Sequence, residues 1–140
     1  MVDALWEARR VLLPGGTVVD VRPVSAPVTI KAVSAGRATE AVEVASYGAA
    51  EDDASADAAV RHALSRQWFT FEKHLSFAVD IDCDAASDLQ SFVETGRRMR
   101  EARIPYDALE RQRSELGEAT GEAARLRCRR PTVLSVYRKR

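Results

Sequence analysis

Apolar positions along the chain recur at two spacings, and the switches between them outline the elements. Leu5, Ala8 and Leu12 fall on one stripe, with Val2 nearby and Glu7 and Arg10 facing away, so the spacing predicts a helix over 1–12. Leu13-Pro14-Gly15-Gly16 stops it, because proline cannot continue a helix and glycine accepts positive φ at little cost. Thr17-Val18-Val19-Asp20-Val21 is β-branched and nearly continuous in apolar character, which predicts a strand covered on both faces in a parallel sheet. Pro23 and Pro27 bracket its exit. Two short strands, 28–33 and 38–44, are joined by Ser34-Ala35-Gly36-Arg37, where Gly36 suits a left-handed turn position.

Residues 48–53 read as an acidic loop ahead of a helix over 54–66, capped by Asp53 or Ser55. Phe69, Phe71, Leu75, Phe77, Val79 and Ile81 then alternate with mostly polar neighbours, the period of a long strand with one buried face. Ser87-Asp88-Leu89-Gln90 has capping-box spacing and opens a helix to about Arg103, with Leu89, Phe92, Val93 and Met99 on its buried stripe. Pro105 separates it from a second helix over about 107–116, ended by Gly117 and Gly121. Residues 124–129 and 132–137 predict an antiparallel pair around Pro131 that closes a sheet. There is no internal repeat.

At 140 residues, 46% hydrophobic and 30% charged, the chain fits one domain, 1–140, with a buried core. No apolar run approaches a membrane span, and the first residues lack the basic and apolar regions of a signal peptide, so the expected compartment is the cytoplasm. Cys83 and Cys128 lie far apart without a C-x-x-C pair and read as plain thiols. Formal net charge is zero but unevenly placed: residues 1–96 carry 8 basic against 15 acidic groups, and residues 97–140 carry 13 against 6. The two regions are expected to attract each other within one fold; the arginines are not interleaved with aromatics, which argues against a nucleic-acid partner.

The segment Glu7-Ala8-Arg9-Arg10-Val11-Leu12-Leu13-Pro14-Gly15-Gly16-Thr17-Val18-Val19-Asp20-Val21 resembles the helix, turn and fifth strand of class I S-adenosylmethionine-dependent methyltransferases, which commonly read E-x-x-R-V-L-x-P-G-G before a hydrophobic strand. Thr132 to Tyr137 resembles the family's closing antiparallel strand. The resemblance implies an α+β chain holding part of a Rossmann-like α/β unit, in order a helix-strand start, an antiparallel β insertion over 24–82, helices and closing antiparallel strands. The family's glycine-rich cofactor loop and its acidic ribose-binding residue belong upstream of this helix, and the seven glycines form no G-x-G. The chain alone is therefore expected to hold no cofactor residues and to lack catalysis, S-adenosyl-L-methionine being implied only for a completed protein. An incomplete sheet would leave a strand edge and an apolar face to be covered by self-association or a complementing chain, or rebuilt by the insertion and the terminal hairpin.

By the same resemblance, substrate would meet the carboxyl end of the fifth strand, at Asp20 and Arg22. Asp20 could serve as a base or orienting carboxylate and Arg22 as an anion-binding group, or the two could form a strand-end salt bridge. Asp80, Asp82 and Asp84 sit at the first three ligand spacings of a calcium loop, but Ala85 and Ser91 occupy the positions that need glycine and a bidentate glutamate, so no metal site is expected. His62 and His74 show no ligand spacing, and Trp6, Trp68 and Phe69 read as core or edge aromatics. Arg125, Arg127 and Arg129 put three guanidinium groups on one side of a strand, for phosphate or for solvent. The competing expectation is a free-standing binding or dimerisation module in which residues 28–44 and 68–82 form an antiparallel sheet covered by helices.

Overall fold

A computed structural model describes residues 2–45, 49–95 and 103–140. Its elements run α1 (Val2–Val11), β1 (Thr17–Pro23), β2 (Val28–Ser34), β3 (Arg37–Ala38), β4 (Val42–Val44), α2 (Ala49–Ser65), β5 (Phe69–Cys83), α3 (Ala86–Thr95), α4 (Tyr106–Thr120) and β6 (Arg125–Lys139). The fold class is α+β, with the six strands in one antiparallel sheet. The chain divides into two units, Met1–Ser25 with Gly48–Phe77 and Thr132–Arg140, and Ala26–Tyr47 with Ala78–Pro131.

In the first unit the predicted helix, turn and strand follow one another at the predicted places. Gly15 takes φ +77°, and a Cβ on Gly16 would meet the Leu13 carbonyl oxygen at 2.9 Å, so both positions of the turn call for glycine. The turn is tied to the end of β6, since Gly15 N donates to the Lys139 carbonyl and Lys139 N donates to that of Gly16. Ala63, Phe69 and Tyr137 form a buried cluster, joined by Leu5 of α1, Leu12 just after that helix, Val18 of β1 and Val60 of α2. Full burial of a side chain such as Phe69 contributes roughly 2 kcal/mol.

Strand β1 departs from its expected setting. It pairs antiparallel with β6, Val18 opposite Tyr137 and Asp20 opposite Ser135, rather than lying in a parallel sheet. Nor is it covered on both faces: Val18, Asp20 and Arg22 are half-buried, while Val19 and Val21 are 54% and 56% exposed. The reason is topological. A parallel neighbour requires another strand running in the same direction, and among the described residues only β6 pairs with β1.

Strand β5 covers the predicted span but does not show the predicted buried face. Phe69 and Cys83 at its ends are buried, whereas Phe71, Leu75, Phe77 and Val79 are exposed. Helix α2 begins at Ala49, so most of the expected acidic loop is helical. Asp53 therefore lies inside the helix instead of capping it, and its carboxylate accepts from Ser25 N at 2.8 Å and Ser25 Oγ at 2.6 Å.

The core of the second unit lies on β2. Val28, Ile30, Ala32 and Ser34 are buried in strict alternation, and Leu126 and Cys128 of β6, Leu89 and Val93 of α3, and Leu109 and Leu116 of α4 close around them. The β2–β3 turn places Ala35 at φ 47° and Gly36 at φ 74°, the two positive values of a tight hairpin turn. The second predicted strand breaks into β3 and β4, both paired with β2. Helix α4 passes through Gly117 and ends at Gly121, whose φ of 69° and bond to the Gly117 carbonyl make a left-handed cap.

The capping box predicted at Ser87 does not form. Helix α3 starts at Ala86, the Asp88 carboxylate accepts from Ala85 N, and Gln90 reaches forward to Glu94 instead of back. Asp88 lies two residues closer to the free amides than Gln90 and bears the charge that a helix start favours. The expected continuation to Arg103, including Met99, falls largely outside the described residues.

The closing pair around Pro131 is instead one strand, β6. Its first half pairs with β2, Arg129 opposite Thr29, and its second half with β1, Thr132 opposite Pro23. Pro131 stands where one partner gives way to the other, so its missing N–H interrupts neither ladder. Because β5 also pairs with β6, the segments 28–44 and 68–82 do not pair directly as the module expectation had them; β6 is their common partner.

Candidate functional site

Asp20 and Arg22 point from the half-buried face of β1 and are brought together: Arg22 Nε lies 3.3 Å from Asp20 Oδ2, at ion-pair distance but without hydrogen-bond geometry. The guanidinium is also held by the N-terminal half of α2, through the Asp57 carboxylate and, at 3.5 Å, the Asp53 carbonyl. Burial works against the Arg22 charge, but the hydrogen bond to Asp57 and the fields of Asp20, Asp57 and Asp53 raise its pKa above the ordinary arginine value. As arranged, Arg22 fastens β1 to α2, and its donors are directed at the chain itself.

Beside Asp20, the cross-strand pairing brings in two residues that sequence reasoning did not connect. Ser135 is opposite Asp20 in the β1–β6 register, and its Oγ lies 3.0 Å from His74 Nδ1 on β5. Asp20, Ser135 and His74 thus share a face of the sheet. A serine–histidine contact can activate a nucleophile, but Ser135 is only 4% exposed, so an incoming electrophile has no approach to its oxygen. The contact acts as a hydrogen-bonded tie between β5 and β6. No sequence signal foretold it, because strands 61 residues apart reveal their register only on folding.

In the second unit, the two period-two stripes considered separately in the sequence are each other's partners. Asp80 pairs with Arg129, Asp82 with Arg127 and Asp84 with Arg125, at 3.4, 2.7 and 2.9 Å. The acids of the calcium-like spacing are therefore taken up by guanidinium groups, and part of the charge imbalance between the chain's two regions is met within this unit. The shared spacing of two residues was the available signal. Among the described residues no group of three or more histidine, cysteine, aspartate or glutamate side chains could hold a metal ion.

The remaining candidates take structural positions. His62 meets Trp68 edge-on at 5.6 Å, Trp68 stands 5.2 Å from Trp6, and the Arg9 guanidinium lies over the Trp6 ring. Cys83 and Cys128 are buried free thiols. Burial pushes both upward, Cys128 to about 11, so they are protonated and poorly nucleophilic at neutral pH.

The described glycines do not fit an adenosyl-cofactor cradle, which needs a glycine loop leading from a strand into a helix. Gly15 and Gly16 lead from a helix into a strand, Gly36 joins two strands, and Gly117 and Gly121 lie within and at the end of α4. No helix among the described residues is long and apolar enough to cross a membrane. Comparison with family models, with curated proteins and with solved structures finds no match to this chain.

Proposed function

We propose that the chain is the C-terminal segment of a class I methyltransferase-like protein, inactive alone and able to transfer methyl from S-adenosylmethionine only when a cofactor-binding half completes it. The observation that carries this reading is the open edge of β1 in the first unit. The segment resembling the family's helix, Pro-Gly-Gly turn and fifth strand is followed through the turn into β1, which pairs antiparallel with the segment resembling its closing strand. No other described strand pairs with β1.

Apolar side chains of this unit are also left exposed. Val19 and Val21 lie on the face of β1 opposite Asp20, and Leu75 and Phe77 of β5 are exposed as well. All four are at least 42% exposed. An open strand edge together with exposed apolar side chains suits a sheet that continues in another polypeptide segment.

The DNA immediately upstream of the Met1 codon tests the proposal. A frame there, intact or interrupted, that encodes a hydrophobic strand followed by D/E-x-G-x-G supports a severed cofactor half; upstream DNA with no such segment in any frame contradicts it. Micromolar affinity of the chain alone for S-adenosylmethionine would also overturn it.

The second reading, a free-standing binding or dimerisation module, draws support from the second unit. That unit has its own buried core, with Ile30, Leu89, Leu109 and Leu126 fully enclosed. A concentration-dependent dimer with a clean upstream region would favour this reading.

A further inference from the structure

The buried alternation of β2 sends Thr29, Lys31 and Val33 to the sheet face away from its core, where the β6 register sets them opposite Arg129, Arg127 and Arg125. Lys31 and Arg127 are therefore like charges directly across from each other, an arrangement that costs stability unless something compensates it. Arg127 is compensated, since both Asp82 oxygens bond to it. Asp80 and Asp84 are engaged by Arg129 and Arg125. Lys31 is left without an acidic partner among the described residues, and so is Arg37, which sits opposite Ser34 across the tight turn.

Both of these cations line an open groove of about 360 Å³, together with Arg125, Arg127 and Asp82; Val33, Ala38 and Ala123 supply an apolar part. We propose that this groove binds a small phosphomonoester, with Lys31 and Arg37 holding the phosphate. Two uncompensated cations match the nearly two negative charges that a phosphomonoester carries at neutral pH, and a carboxylate would leave one of them unmet. Lysine contributes a compact charge and arginine a forked donor to the tetrahedral oxygens. The groove is larger than a phosphate group and falls within the usual size of small-molecule sites, so the apolar part has room for the ester's body. The site lies within the second unit and does not depend on how the sheet of the first is completed.

Titration of the whole chain with glycerol 3-phosphate at low ionic strength, followed by backbone NMR, tests this. Saturable shifts at residues 31–38 and 123–127 are expected, weakened by added salt and absent with acetate. Lys31→Gln and Arg37→Gln should each weaken binding by roughly tenfold, the usual size of one charged hydrogen bond. Lys31→Arg should retain binding, and Arg61→Gln, a cation on α2, should leave it unchanged. Circular dichroism identifies any variant that fails to fold, and the two glutamine variants probe the site independently. Absence of saturable shifts, equal binding of acetate, or equal weakening by Arg61→Gln would overturn the proposal.

Discussion

Arg127 holds both carboxylate oxygens of Asp82, at 2.7 and 2.8 Å, in the middle rung of a three-rung ladder between β5 and β6. The hydrogen bond to Arg127, aided by the fields of Arg127 and Arg125, holds the Asp82 carboxyl below the usual carboxylate range.

A depressed carboxylate pKa stabilises the folded state above the ordinary value of about 4 and ceases to do so as pH falls through the folded value. Asp82→Asn should therefore lower Tm at pH 7, and the gap from wild type should close as the pH is taken below about 4. Thermal melts across this range check it. A gap that persists at low pH would mean that Asp82 acts through packing and not through charge.

Arg22 joins β1 to α2 through Asp57, with Asp20 alongside. Arg22→Ala should cost about 1 kcal/mol, the upper range for a partly exposed pair. In a double-mutant cycle with Asp57→Ala, the second substitution should cost little once the first is made. Urea unfolding measures both, and additive losses would show that the pair is not coupled.

The turn before β1 makes a sharper demand. Gly15 has φ +77° with no atom near a would-be Cβ, so the penalty for a side chain there is conformational and not steric. Gly15→Ala should destabilise by about 1–2 kcal/mol, while Gly15→Asn should lose less, because asparagine tolerates the left-handed region. Chemical denaturation of the two variants distinguishes these outcomes.

Leu75 and Val21 are exposed, and polar replacements there should act on association more than on folding. Leu75→Gln combined with Val21→Thr should change stability by no more than about 0.5 kcal/mol per site and reduce binding of a hydrophobic dye. A loss above about 2 kcal/mol would place these side chains in a covered core.

Much of the architecture was legible wherever one local rule dominated. The first helix, observed over Val2–Val11, the turn at Gly15, the strand at 17–21, the hairpin at Gly36 and the long strand from Phe69 all lie where periodicity and turn chemistry set them. What the sequence could not convey was which strand meets which. Apolar alternation in β5 identified a face but not whether a helix covers it, and the continuous valines of β1 read as central when the strand has one described partner. Proline at 131 looked like a break because its effect depends on whether a ladder bond is needed there, which is a tertiary fact. The candidate pair Asp20 and Arg22 was foreseen as neighbours, whereas their company of Asp57, Ser135 and His74 depends on long-range pairing.

Calorimetric titration of S-adenosylmethionine bears most directly on the claim that the sheet containing β1 is completed elsewhere. It should be run on the chain alone and on the polypeptide extended N-terminally by the residues its upstream DNA encodes. No heat of binding is expected from the first and micromolar affinity from the second. Micromolar affinity of the chain alone, or silence from both, would contradict the claim.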